Sequence, residues 1–158
     1  MILSSNLENV HSDIRGEIYM HALELEKAGN KVLKLNTGNP AAFGFKMPES
    51  IKNRIIADVD KSLGYCDIRG MENARAAFKE YHLSRGVKNI SENDIFIGNG
   101  VSEVAYMIIS ALIGTGDEVL VPTPCYSLWT NFTFLAGGKA KFYKCDEALD
   151  WETDIDSI

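Results

Sequence analysis

The sequence is poor in the residues that build metal sites, disulfide frameworks and membrane spans. It has three cysteines and three histidines in 158 residues, and no two cysteines have the CxxC spacing of a zinc or redox site. We therefore expect no metal, and the odd, scattered set of cysteines favours a reducing, cytoplasmic compartment. No apolar run approaches the roughly 20 residues of a membrane-spanning helix. The start of the chain also lacks the basic and apolar regions of a secretion signal.

Basic residues are outnumbered as well. Sixteen lysines and arginines stand against 22 aspartates and glutamates, which gives a net charge of −6. This balance indicates neither a nucleic-acid partner nor an anionic membrane surface. The acidic residues are concentrated in "DEALDWETDIDSI" (146–158), which we interpret as a solvated linker.

Strand and helix patterns alternate in the second half of the chain. Three helices and a short strand at 31–36 are predicted before that half. The later predicted elements are strand 94–98, helix 101–113, strand 118–122, helix 126–136 and strand 140–145. This alternation predicts an α/β fold, a mainly parallel sheet with helices on both faces. The strands of a parallel sheet are buried on both faces and need neighbouring strands, and the few strands predicted here do not supply enough of them. We therefore expect the sequence to be the front part of a longer protein.

The stretch "GNGVSE" (98–103) joins a predicted strand to a predicted helix. Gly98 and Gly100 allow a sharp turn, and the helix that follows directs free N–H groups and its positive dipole end at that turn. A phosphate could bind there, although an ordinary tight turn with a solvated Ser102 explains the pattern about as well. Glu103 replaces the third glycine of a dinucleotide-binding fingerprint, so a Rossmann oxidoreductase is only a distant alternative. No P-loop sequence is present.

Three other loops carry candidate binding residues. Gly38 in "NTGNP" could present its backbone N–H to a carboxylate, and Tyr65 in "GYCDIRG" could donate its phenol to a phosphate. Tyr126 in "PTPCYSLW" follows a strand at the sheet edge where open α/β sheets bind ligands, and could stack on a flat ring. The simpler alternatives are a plain turn for Gly38, a packing tyrosine for Tyr65 and a core aromatic for Tyr126.

Taken together and in order, five segments resemble the N-terminal portion of class I/II aminotransferases, which are fold-type I pyridoxal-phosphate enzymes. Within that family the sequence is most similar to the bacterial alanine (glutamate–pyruvate) aminotransferases. The segments are "DIRG" (13–16), "GNKVLKLNTGNPAAFGF" (29–45), "GYCDIRGMENAR" (64–75), "IGNGVSE" (97–103) and "LVPTPCYSLWT" (120–130).

The resemblance implies pyridoxal 5'-phosphate as the cofactor and a role for each candidate residue. Gly38 would contact the substrate carboxylate, and Tyr126 would stack on the cofactor ring. Tyr65 would reach the phosphate bound by the other subunit of a homodimer. The cofactor's own phosphate would lie on Gly100, Val101 and Ser102. The resemblance further implies an N-terminal arm and small-domain segment over 1–45 and the first part of the cofactor-binding large domain over 46–158.

The implied reaction transfers an amino group from L-alanine, or a similar small amino acid, to 2-oxoglutarate. The family's chemistry needs a lysine that bonds to the cofactor, and in the family that lysine lies downstream of the region matched here. Among the eleven lysines of this sequence, Lys52 in "SIK" (50–52) is the one with a serine two residues before it, and it stands in the early part of the match. We therefore assign no catalytic residue and expect this chain alone to be inactive. The alternatives are a carbon–sulfur lyase of the same fold type, or a non-catalytic truncated paralogue or gene fragment that at most binds phosphate or a full-length partner.

Overall fold

The structure is a computed structural model that describes residues 2–11 and 14–158. Asp13, the first residue of the "DIRG" segment, lies outside the described residues. In chain order the main elements are α1 (Glu17–Lys27), α2 (Glu49–Asp58), α3 (Glu72–Ser84), α4 (Val101–Leu112), β1 (Glu118–Thr123), α5 (Leu128–Leu135), β2 (Lys139–Asp146) and β3 (Glu152–Thr153).

The chain divides into two compact units. One comprises Met1–Lys34 with Asn99–Ile158, and we call it the sheet unit; the other is Leu35–Gly98, the helical unit. The domain boundary predicted near residue 45 remains a prediction about the family's complete fold. Among the described residues, no helix is both long and apolar enough to cross a membrane.

The sheet unit is built around a parallel strand pair. β1 and β2 run in register from Glu118 opposite Lys139 to Thr123 opposite Lys144, and α5 is the helical crossover that a parallel connection requires. Both strands and both neighbouring helices lie within about two residues of their predicted bounds. The α/β alternation read from the sequence is therefore confirmed in this part of the chain.

A small apolar core holds the crossover against the strands. Ala105 and Ile109, one helical turn apart on α4, are buried together with Val121 of β1 and Leu128 of α5. The spacing of four residues places the two α4 side chains on one face of the helix. Fully buried Thr133 of α5 keeps its hydroxyl bonded, since its Oγ1 donates to the carbonyl of Trp129 at 2.8 Å, which removes the cost of an unpaired polar group in the core.

Two predicted strands are absent. Residues 31–36 and 94–98 form no strand in the structure, although Ile95 has extended backbone angles. A strand exists only when a neighbour accepts and donates along a ladder, and within 94–98 the Ile97 N–H donates to the Arg69 carbonyl at 2.9 Å. Local β propensity was therefore a misleading signal where the described chain supplies no partner strand.

The acidic stretch 146–158 is not the linker that we predicted. It folds back on β2, with Cys145 opposite Thr153 and Asp146 opposite Glu152 in antiparallel pairing. The N–H of Asp154 donates to the Lys144 carbonyl at 2.9 Å. Backbone hydrogen bonds, which charge patterning does not predict, hold the segment in place.

The helical unit contains α2, α3 and the loops around them. Apolar spacing on α3 predicts that Ala74, Phe78 and Tyr81 face inward. Ala74 is partly buried, but Phe78 and Tyr81 are about half exposed, at 50% and 53%. The buried residue of this helix is instead Arg75, which is 6% exposed. The inward prediction is therefore wrong for Phe78 and Tyr81, because the best covered face of α3 carries the Arg75 guanidinium.

Candidate cofactor-binding site

The N-terminus of α4 is open to a ligand. Gly100 is its N-cap residue, with φ 83° and ψ 169°, a backbone region that essentially only glycine occupies. A Cβ added at Gly100 would meet nothing within 4 Å, so the glycine is required by its backbone angles and not by lack of space. Because glycine brings no capping side chain, the first N–H groups of the helix are free to bind an anion.

The turn before α4 is closed by a hydrogen bond to Glu103, an acidic residue in the first turn of the helix. The carboxylate of Glu103 accepts a hydrogen bond from the backbone N–H of Asn99, a variant of the capping box. This bond fixes the Glu103 carboxylate at the start of the turn. Val101 and Ser102, the residues predicted to surround the phosphate with Gly100, are both exposed.

The loop after β1 lies beside this helix start. β1 ends at Thr123, and α5 begins at Leu128 after a short loop that carries Tyr126. This loop stands at the carboxyl end of the parallel strands, the edge where α/β sheets bind ligands. Tyr126 is 55% exposed, so its ring is available to a ligand and is not the core aromatic of the simpler reading.

A cavity of about 170 Å³ brings the two predicted elements together. It is smaller than the roughly 300–1,000 Å³ of a complete small-molecule pocket, and so can hold only part of a cofactor. Its lining residues are Ile14, Ser102, Tyr126, Ser127, Leu128, Asn131 and Phe132.

A second cavity adjoins the first. It measures about 400 Å³ and shares Ser127 and Asn131 with the smaller one. Asn9 and His11 form part of its wall. They belong to the part of the chain before α1 (residues 2–11 and 14–16 of the described structure), which we call the N-terminal segment. Residues of the N-terminal segment therefore line both cavities: Ile14 the smaller one, and Asn9 and His11 the larger one.

Ile14 and Asn131 are lining residues that we did not predict from the sequence. Ile14 has helical spacing with Ile18, Ala22 and Leu25, which predicts an ordinary helix face, but α1 begins only at Glu17. Nothing local distinguishes Ile14 as a lining residue. Asn131 did carry a signal, because asparagine is a poor residue for the interior of a helix and here interrupts the apolar run "LWTNFTFL" of α5.

Gly38 and Tyr65 belong to the helical unit. Gly38 is exposed, and an added Cβ there would meet nothing within 4 Å. Tyr65 is fully exposed. Their predicted roles at a substrate carboxylate and at a partner's phosphate remain predictions.

The loop that carries Tyr65 is braced by an acid–arginine network. The Asp67 carboxylate accepts from the Arg69 backbone N–H at 2.8 Å and from its guanidinium at 2.9 and 3.1 Å. These bonds from Arg69 hold the pKa of Asp67 well below its ordinary value. Arg75 Nη2 lies 3.8 Å from the same carboxylate, so two guanidiniums surround one acid.

Buried Arg75 ties this loop to a second segment. Its Nε donates to the Gly70 carbonyl at 3.1 Å, and its Nη1 donates to the Glu92 carbonyl at 3.0 Å. A planar guanidinium can donate hydrogen bonds to two carbonyls in its own plane, whereas a lysine ammonium has no such fixed, planar set of donors. The network therefore fixes the backbone on the C-terminal side of Tyr65.

Comparison with known proteins identifies the family. The sequence pattern described as "Aminotransferase class I and II" matches residues 30–158. The chain belongs to this family. Class I and II aminotransferases depend on pyridoxal phosphate, so the predicted family and its cofactor are confirmed.

Individual relatives are similar over nearly the whole chain. The glutamate-pyruvate aminotransferase AlaA of Escherichia coli (strain K12) is 49% identical over 155 residues, which are 98% of this chain and 38% of that protein. The alanine aminotransferase of Mycobacterium tuberculosis (strain ATCC 25618 / H37Rv) is 44% identical over 153 residues, or 96% of this chain and 36% of the relative. The chain thus spans less than two fifths of the curated relatives' length.

Solved structures give the same result. An aminotransferase from Escherichia coli has a TM-score of 0.91 at 48% identity, over 99% of this chain and 39% of that one. The alanine aminotransferase from Pyrococcus furiosus has a TM-score of 0.89 at 35% identity, over 99% and 40%. The predicted fold class, an incomplete fold-type I α/β fold, is confirmed.

The residues of the sheet unit fit the cofactor of this family. Free N–H groups at the start of α4 and the Ser102 hydroxyl suit a phosphate, which binds readily at helix N-termini. The half-exposed Tyr126 ring lines the same cavity as Ser102 and suits a flat aromatic ring.

Proposed function

We propose that this sequence forms the phosphate- and ring-binding part of an aminotransferase that transfers an amino group between L-alanine, or a similar small amino acid, and 2-oxoglutarate. The observation that carries the proposal is the cavity shared by Ser102, at the start of α4, and Tyr126, after β1. The substrates are supported by relatives of 44–49% identity that are named alanine or glutamate-pyruvate aminotransferases.

The proposed roles follow from what each group can donate. Gly100, Val101 and Ser102 would hold the cofactor phosphate through backbone N–H groups and the Ser102 hydroxyl. Tyr126 would orient the ring by stacking, and Gly38 would present its N–H to the substrate carboxylate. When bound, pyridoxal phosphate supplies an electron-accepting ring that makes the exchange of the amino group possible.

We further propose that the 158-residue chain does not turn over substrate alone. In the family the cofactor-bonding lysine lies downstream of the region that this sequence matches, and that residue is indispensable to the chemistry. The test is an assay of pyruvate formation from L-alanine and 2-oxoglutarate, coupled to lactate dehydrogenase, with the protein from its source organism. The intact mass is measured in the same preparation.

We expect pyruvate from a species heavier than 17.5 kDa that contains this sequence, and none from a species of 17.5 kDa. Turnover by the 17.5 kDa chain would contradict the proposed need for a further lysine. A heavier species that ignores L-alanine but releases sulfide from cysteine substrates would favour the carbon–sulfur lyase.

We also propose a cytoplasmic homodimer in which Tyr65 reaches the site of the other subunit. Complete exposure of Tyr65, on a loop braced by Asp67, Arg69 and Arg75, supports this proposal, because a free side chain on a fixed loop is suited to a partner. Tyr65→Phe keeps the ring and removes the phenol donor. We expect it to leave the oligomeric state unchanged in sedimentation and to weaken cofactor retention, and equal retention would contradict the role.

A further inference from the structure

The N-terminal segment is attached to the middle of α5 by one side chain. The Asn131 side-chain amide makes two hydrogen bonds to the backbone of a single residue: its Nδ2 donates to the His11 carbonyl at 2.6 Å, and its Oδ1 accepts from the His11 N–H at 3.2 Å. This pairing imitates one rung of a β-ladder. The segment is thus held through its backbone, whatever side chain stands at position 11.

A second attachment lies farther along the same helix. Asn6 Nδ2 donates to the Leu135 carbonyl at 3.0 Å, at the C-terminal end of α5, where carbonyls lack partners within the helix. Asn6 lines neither cavity, whereas Asn131 lines both. Of these two attachments, only the one made by Asn131 therefore lies at the cavities.

The Asn131 attachment limits where Ile14 can lie. Ile14 follows His11 by three residues, and three residues span at most about 11 Å when fully extended. Ile14 shares the smaller cavity with Ser102 and Tyr126. A segment released from α5 would lose this restriction, and the apolar wall that Ile14 gives the cavity would no longer be fixed.

An asparagine at position 131 lowers the stability of helix α5, and its presence despite this cost supports a specific role. Asparagine is less favourable than alanine within a helix by about half a kcal/mol, and α5 is otherwise largely apolar. Asn131 is partly buried, and a partly buried amide is tolerated best when both of its polar atoms are bonded. Here both are bonded to His11 and not to α5 itself.

We propose that Asn131 is a positioning residue that clamps the N-terminal segment to α5 and thereby holds Ile14 as a wall of the ligand cavity. The proposal rests on the proposed function for the identity of the ligand. It adds that the cavity is incomplete unless residues near the N-terminus are fastened to the helix that follows Tyr126. Asn131 itself lines this cavity, and its proposed positioning role is the part of its effect that acts through Ile14.

The test compares four forms of the full-length protein: wild type, Asn131→Ala, Ile14→Ala and Asn6→Ala. The ligand probe is pyridoxamine 5'-phosphate, whose amine cannot react with lysines as an aldehyde does. Its dissociation constant is measured by calorimetry. Amide hydrogen exchange at His11 reports the clamp without any ligand, and exchange at Ala136, bonded to the Phe132 carbonyl at 3.0 Å within α5, reports the helix.

We expect Asn131→Ala to lose protection at His11 while Ala136 stays protected, and to bind the probe about three- to tenfold more weakly, as the loss of one or two neutral hydrogen bonds implies. Ile14→Ala should weaken the probe similarly and leave His11 protected. Asn6→Ala should leave binding within about twofold of wild type, because its attachment lies outside both cavities.

Two results would overturn the inference. One is unchanged exchange at His11 in Asn131→Ala, which would show that no clamp exists; the other is lost protection at His11 with unchanged probe affinity, which would show that the clamp does not serve the cavity. Failure of the proposed function gives a different pattern. Wild type would not bind the probe at all, and the exchange at His11 would still decide whether the clamp exists.

Discussion

Replacement of Arg75 by methionine tests the account of the helical unit most severely. Arg75 is 6% exposed, and its guanidinium donates to the Gly70 and Glu92 carbonyls at 3.1 and 3.0 Å. Methionine fills a similar volume with an unbranched apolar chain but donates to neither. The Arg75→Met variant therefore removes both bonds with little change in packing.

The magnitude follows from the carbonyls that lose their donor. A buried acceptor left unpaired costs about 1–3 kcal/mol, which would give up to about 6 kcal/mol for two. Gly70 and Glu92 are only half buried, so water can reach their carbonyls and the lower end applies. We expect a loss of about 2–3 kcal/mol, a large fraction of the 5–15 kcal/mol that stabilises an ordinary domain.

The assay is urea unfolding followed by far-ultraviolet circular dichroism. Trp129 and Trp151 both lie in the sheet unit, so tryptophan fluorescence would report on the wrong unit. Exchange of the Ile97 amide, bonded to the Arg69 carbonyl at 2.9 Å, gives a local measure within the helical unit. That amide should exchange faster in Arg75→Met.

Arg85→Met is the matched control. Arg85 is the C-cap residue of the same helix, and its exposed guanidinium lies 5.0 Å from the centre of the Tyr81 ring. An exposed cation–π contact contributes about 0.5–1 kcal/mol, so the control should lose less than about 1 kcal/mol. Equal losses in the two variants, or an unchanged Ile97 amide in Arg75→Met, would refute the bracing role of Arg75.

Two further predictions concern the acid beside this arginine and the glycine of the phosphate turn. Hydrogen bonds from Arg69 lower the pKa of Asp67 below 3.8, so the contribution of the ionised Asp67 to stability is present above about pH 4 and is lost as the pH falls further. In urea titrations, the stability difference between wild type and Asp67→Asn should therefore shrink below pH 4. A difference that grows below pH 4 would contradict this sign. Gly100→Ala should cost about 1–3 kcal/mol from its backbone angles and weaken pyridoxamine 5'-phosphate in calorimetry. Gly29→Ala, also at positive φ in open space (φ 87°), should cost stability without weakening the probe, and equal binding losses in both variants would refute the special role of Gly100.

The sequence predicted the elements whose signal is local. Helix α4, strands β1 and β2 and helix α5 combine apolar periodicity with glycine or proline boundaries, and all four form near the predicted residues. Ser102 and Tyr126 could be proposed as neighbours because one begins a helix and the other follows a parallel strand at the same edge of a sheet. The cavity that they share agrees with that reasoning.

The sequence could not predict features that depend on a distant partner. Residues 31–36 and 94–98 have strand composition but no ladder in the described chain, and the two-residue strand β3 is too short and too polar to carry a pattern. Arg75 was hidden because an arginine in a helix is most often exposed, and its burial follows from carbonyls at positions 70 and 92. The pairing of Asn131 with His11 spans 120 residues, beyond any periodicity.

The most direct test of the central claim, that Ser102 and Tyr126 belong to one site for a phosphate and a ring, compares two ligands by ³¹P NMR titration. Inorganic phosphate should bind weakly, in about the millimolar range that corresponds to −4 kcal/mol. Ser102→Ala should reduce this binding, and Tyr126→Ala should leave it unchanged. Pyridoxamine 5'-phosphate should bind more tightly and be weakened by both substitutions. A chain that binds neither ligand, or one whose affinity for pyridoxamine 5'-phosphate is unaffected by Tyr126→Ala, would contradict the account.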